Sequence, residues 1–105
     1  MKITHNFVGW FEIPVTNMDR AIRFYEKVFE IEMTRQQMGA VDMAWFPGID
    51  NSIGASGSLV HHPINYKPSG DGVLIYFTSF AGDVNTELYR AKEAGGKILK
   101  RIIRV

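Results

Sequence analysis

The chain has 105 residues, 46% of them hydrophobic, enough for one domain with its own core. Twelve Lys and Arg stand against eleven Asp and Glu, and this near-neutral balance argues against a general nucleic-acid or membrane-surface binder. No cysteine is present, which excludes disulfides, thiolate metal sites and a cysteine nucleophile.

The first predicted strand is Phe7 to Val15. Alternation sorts Phe7, Phe11, Ile13 and Val15 onto one face and Val8, Trp10, Glu12 and Pro14 onto the other. A helix is predicted from about Met18 to Phe29, capped by Thr16 or Asn17 with Asp19 in its first turn. Its apolar stripe is Met18, Ala21, Ile22, Tyr25, Val28 and Phe29. Ile31 to Gln37 and Ala40 to Phe46 read as a hairpin turning at Met38-Gly39. Pro47 to Ser52 is a turn cluster, and Ala55 to His62 a short strand of small residues. Pro63 to Asp71 reads as a linker. Gly72 to Ser79 is predicted as a strand, followed by a helix capped by Asp83 and ended by Gly95-Gly96. The inner stripe of that helix is Val84, Leu88, Ala91 and Ala94, and Lys97 to Val105 is the last predicted strand. Its Lys97, Lys100, Arg101 and Arg104 read as a solvated edge. The opening Met1 to Asn6 has no apolar stretch of the kind that starts a signal peptide, and the longest aliphatic and aromatic run, Val73 to Phe77, is far too short to span a bilayer. A cytoplasmic location is expected.

Residues 7–29 and 72–94 both read strand then amphipathic helix, as one supersecondary unit used twice. The order is β-α-β-β-β, linker, β-α-β. This is an α+β chain forming a single domain over 1–105, with a first unit at about 7–62, a linker at 63–71 and an incomplete second unit at 72–105. A mixed sheet carries helices on one face. The other face, with Trp10 and Glu12, is expected to line a cavity or to be covered by another chain.

The segment Val15-Thr16-Asn17-Met18-Asp19-Arg20-Ala21-Ile22-Arg23-Phe24-Tyr25-Glu26-Lys27-Val28-Phe29 resembles the opening signature of the vicinal oxygen chelate superfamily, which includes glyoxalase I, extradiol dioxygenases and the fosfomycin and bleomycin resistance proteins. Ala91 to Lys97 matches the end of the second helix, and the resemblance covers essentially the whole chain. It implies a glyoxalase-like βαβββ repeat with a cupped sheet, helices on its convex face and ligands on its concave face. It also implies a homodimer, with pairing between copies occupying the open edge left by a second unit shorter than the family's. In metal-dependent members the ligand positions correspond to Trp10, Ser58 and Val73 of this chain, with a fourth on a strand not found here. Trp and Val cannot hold a divalent ion and Ser does so poorly, so no metal and no cofactor are expected.

Glu12 is a candidate general base if it sits against apolar walls beside Trp10; a Glu bonded to a basic residue at the sheet edge is the competing reading. Trp10 and Trp45 can stack on a planar ligand, though core or interface packing also accounts for Trp45. Ser58 and His62 share a face, whereas His61 points the other way and His5 precedes the strand. Val73, Ile75 and Phe77 share a face and would make an apolar wall, or plain core. Gly54 to Ser58 is not a phosphate loop, and no nucleophile-elbow motif is present. The expected ligand-binding set is therefore Trp10, Glu12, Trp45, Ser58, His62, Val73, Ile75 and Phe77. The expected function is metal-free binding of a small, partly apolar or aromatic molecule. A lyase or isomerase using Glu12, or a metal held by His62 and Glu12, is the enzymatic alternative; an interaction protein without a pocket is the third.

Overall fold

A computed structural model describes residues 2–99. Strand β1 (Phe11–Pro14) leads into helix α1 (Met18–Phe29), then the β2 (Thr34–Met38) and β3 (Val41–Trp45) hairpin, β4 (Gly57–His61) and helix α2 (Val84–Glu93). The sheet order is β1-β4-β3-β2, with β1 parallel to β4 and the other pairs antiparallel. This mixed sheet with two helices is the expected α+β architecture.

Helix α1 starts where its cap can act. The Asn17 side chain accepts the Arg20 N–H at 3.1 Å, and Asp19 sits in the first turn near the positive end of the helix dipole. Its stripe of Met18, Ala21, Ile22 and Tyr25 packs on Ile13, Met33, Ala44 and Leu59, which fixes the helix-bearing face of the sheet. Full burial of Leu59 and Ala44 places the centre of the core under this helix. Helix α2 packs on α1 rather than on the sheet. Arg90 joins the two: its guanidinium donates to the Val28 carbonyl at 3.3 Å and pairs with Glu30 at 3.0 Å, meeting the unsatisfied carbonyl end of α1. Asp83 caps α2, and Gly95 follows it with φ 100, a left-handed value that glycine takes without strain.

Arg35 of β2 forks onto both carboxylate oxygens of Asp42 on β3, at 2.9 and 2.6 Å, and reaches Asp19 of α1 at 2.8 Å. The hairpin edge is thereby tied to the first turn of α1. The hydrogen bonds from Arg35 hold the Asp42 carboxyl below its ordinary range against the opposing effect of partial burial. A carboxyl depressed in the folded state stabilises fully above the unfolded value of about 3.9, and that contribution fades as pH falls through the lower folded value. Urea unfolding is therefore expected to show a loss of about 1 kcal/mol below about pH 4 that the Asp42→Asn variant lacks, the modest size following from the half-exposed Arg35.

The second unit departs from the sequence expectation. Residues 72–79 form no strand and pair with none of the described residues, although Val73 to Phe77 is a strongly β-prone run. Phe77 instead turns into a ring cluster with Phe11, Tyr25, Phe29 and Phe46, at centroid distances of 5.0–6.0 Å. The corner after it is held by buried Glu87 of α2, which accepts the Ser79 hydroxyl at 2.7 Å and the Ala81 N–H at 3.3 Å. The Ser79 hydroxyl first, and the backbone second, hold that carboxyl below its ordinary range despite burial. Of the predicted last strand, residues 97–99 are not in a sheet. Its remainder, with Lys100, Arg101 and Arg104, lies outside the described residues.

Candidate functional site

Register places one row of the sequence candidates on the face without helices. Ser58 of β4 pairs with Glu12 of β1 on one side and Trp45 of β3 on the other, and paired residues project to the same side. Trp10, two residues before Glu12, joins them: its indole meets that of Trp45 edge to face at 5.8 Å. Strands β1 and β3 flank β4, so indoles that touch across this gap close over the intervening strand. Ser58 beneath them is fully buried, while Trp10 and Trp45 keep 44% and 38% of their surface. The Ser58 hydroxyl has no hydrogen-bond partner among the described residues, an arrangement that disfavours the folded state unless something supplies the bond.

Glu12 is exposed, at the rim of this row rather than against apolar walls. His62 lies just past the end of β4, four residues from Ser58 and about 13 Å away at the strand rise. Its Nδ1 accepts the N–H groups of Ile64 and Asn65 at 3.1 and 3.0 Å, and its ring meets Tyr66 edge-on. Nδ1 is thus engaged as an acceptor in holding a turn. Neither a shared ion with Glu12 nor a base role at Nδ1 fits this placement.

Val73, Ile75 and Phe77, expected to wall the same hollow, are not brought to it. Because the segment is unpaired, Val73 stands 93% exposed, and Ile75 and Phe77 lie on the helix-bearing side. There they line a groove of about 530 Å³ between the 47–56 loop and the 75–80 segment. Sequence reading did not foresee this groove. Its signal was Ile49 and Ile53, two large apolar residues in and just after a stretch otherwise read as a turn cluster.

A parallel β1–β4 pair linked through a helix and an antiparallel hairpin, with a helix-free face bearing the candidate side chains, defines a glyoxalase-like α+β protein. Residues 7–105 match the family model described as Glyoxalase/Bleomycin resistance protein/Dioxygenase superfamily, and the chain belongs to that superfamily. Comparison with curated proteins and with solved structures gave no match.

The superfamily implies a divalent metal, which calls for a set of O or N donors at the corresponding positions. An indole at Trp10, a hydroxyl under two indoles at Ser58 and the distant isopropyl group of Val73 offer no set of donors for a divalent ion. Among the described residues no three His, Asp or Glu side chains gather as a metal centre either. The residues do not fit the group. No helix among the described residues is long and apolar enough to cross a membrane.

Proposed function

We propose that the chain binds a small, partly apolar or aromatic molecule on the helix-free face of its sheet, without a metal. The observation that carries this reading is the half-exposed Trp10–Trp45 pair closing over an unpartnered, fully buried Ser58 hydroxyl. A planar ligand between the indoles gains stacking contact, and a polar group on it reaches Ser58 or Glu12. Titration with a panel of aromatic compounds, read by indole fluorescence, tests this. Saturable quenching by at least one member is expected, and a flat response across the panel removes the reading. Protein purified without chelator is expected to carry less than about a tenth of an equivalent of any divalent metal by elemental analysis, from the lack of a donor set. Stoichiometric metal overturns the metal-free part.

The same reading includes a homodimer. Val73, Leu74 and Tyr76 lie in a β-prone run without a strand partner among the described residues and are exposed at 93, 76 and 91%. Among the described residues β1 pairs only with β4, which leaves its other edge without a partner there. A second copy covers such surfaces at least cost. Light scattering is expected to give twice the 11.9 kDa chain mass, and Tyr76→Lys to shift it toward the monomer; a monomeric parent refutes the dimer.

A further inference from the structure

We propose that the groove on the helix-bearing side is a second binding site, taking an uncharged aromatic molecule. It lies across the sheet from the Trp10–Trp45 face and does not depend on the function proposed for that face. Its floor is built from rings that fix one another. Phe11 meets Phe46 at 5.6 Å, and Phe77 lies 5.0 Å from Phe29 and 5.8 Å from Phe46. A ligand ring therefore meets edges and faces already in place, so little ordering opposes its binding. The volume, about 530 Å³, falls within the roughly 300–1,000 Å³ of small-molecule sites.

Charge selects the ligand class. Lys, Arg, Asp and Glu make up 22% of the chain, yet among the described residues none that lines the groove is charged. An ionic ligand would give up its hydration for walls without a counter-charge. Among the described residues the polar fringe is neutral: Ser52, Tyr76 and Thr78 carry hydroxyls, and the 47–56 loop contributes backbone. That loop is held against the sheet by the Ser56 hydroxyl, which lies 3.2 and 2.9 Å from the Phe46 and Pro47 carbonyls. Three rim side chains remain in water: Ile53 at 98%, Ile49 at 81% and Phe80 at 77% exposure. An apolar occupant gains by removing that surface from solvent.

Two fluorescent probes with one ring skeleton test the proposal. N-phenyl-1-naphthylamine is uncharged, and 1-anilinonaphthalene-8-sulfonate adds a single negative charge. The uncharged probe is expected to bind the intact protein saturably and at least tenfold more tightly than the sulfonate. Ile53→Asp and Phe80→Asp, both changes of exposed side chains, are expected to weaken it at least tenfold with an unchanged melting temperature. Should either variant unfold, Ile49→Asp provides the same reading. Trp45→Ala, on the other face, is expected to keep this binding. Equal affinity for the two probes, no saturation, or rim variants that bind like the parent overturn the groove as a site. Loss of the probe in Trp45→Ala with retention in Ile53→Asp also overturns it, while leaving the function proposed for the indole face intact.

Discussion

Gly57→Ala is expected to destabilise the protein by about 3 kcal/mol in urea unfolding, the upper end for overpacking a core. Gly57 opens β4 and pairs with Phe11 in the parallel β1–β4 ladder. A β-carbon there would lie 2.6 Å from two ring atoms of Phe11 and closer still to the Phe11 carbonyl oxygen. The ring can be moved, but the carbonyl is backbone and can yield only by displacing β1. Moving Phe11 also disturbs its contacts with Phe46 and Phe77, which join the two halves of the chain. For a domain whose whole stability is about 5–15 kcal/mol, such a loss takes a large share. Gly72→Ala is the control: a β-carbon there meets nothing within 4 Å, so a change within about 0.5 kcal/mol is expected. Equal stability of the two variants would mean that β1 and β4 are not packed this closely.

The same glycine explains part of what the sequence could and could not tell. Alternation in the first predicted strand correctly separated Trp10 and Glu12 from Phe11 and Ile13, because side-chain period depends only on local geometry. The strand's length was not local. β1 begins at Phe11, not Phe7, because its partner β4 begins at Gly57 and no described residue pairs with Phe7 to Trp10. Helix α1 was legible to within a residue because its stripe, cap and first-turn acid agree. The Arg35 fork escaped notice because its carboxylates come from α1 and β3, sixteen and seven residues away. Residues 72–79 show the limit most sharply. Propensity named a strand, but a strand needs a neighbour, and here the rings around Phe77 and the Glu87 carboxylate determine where the segment lies. Half of the candidate site was therefore legible. Trp10, Glu12, Trp45 and Ser58 converge because register carries them together, while Ile75 and Phe77 went to the opposite face with the unpaired segment.

Trp45→Ala and Ser58→Ala are expected to weaken any ligand of the indole face while moving stability in opposite directions. Trp45 is 38% exposed and supplies half of the aromatic pair, so its removal is expected to reduce affinity at least tenfold and to lower stability by about 1 kcal/mol. Ser58→Ala removes a buried hydroxyl with no partner among the described residues, so the folded protein no longer bears its desolvation. The melting temperature is expected to rise by roughly 4–8 °C, the equivalent of about 1 kcal/mol in a domain of this size. Affinity for a ligand with a hydrogen-bonding group is expected to fall by about three- to tenfold, the worth of one neutral hydrogen bond. A hydroxyl that served only the fold would show no such opposition: its loss would leave binding unchanged or would lower stability. Opposite signs in calorimetry and titration on the same variant are what a ligand-facing Ser58 requires, and a Ser58→Ala protein that is both less stable and equally avid would assign the hydroxyl to the core.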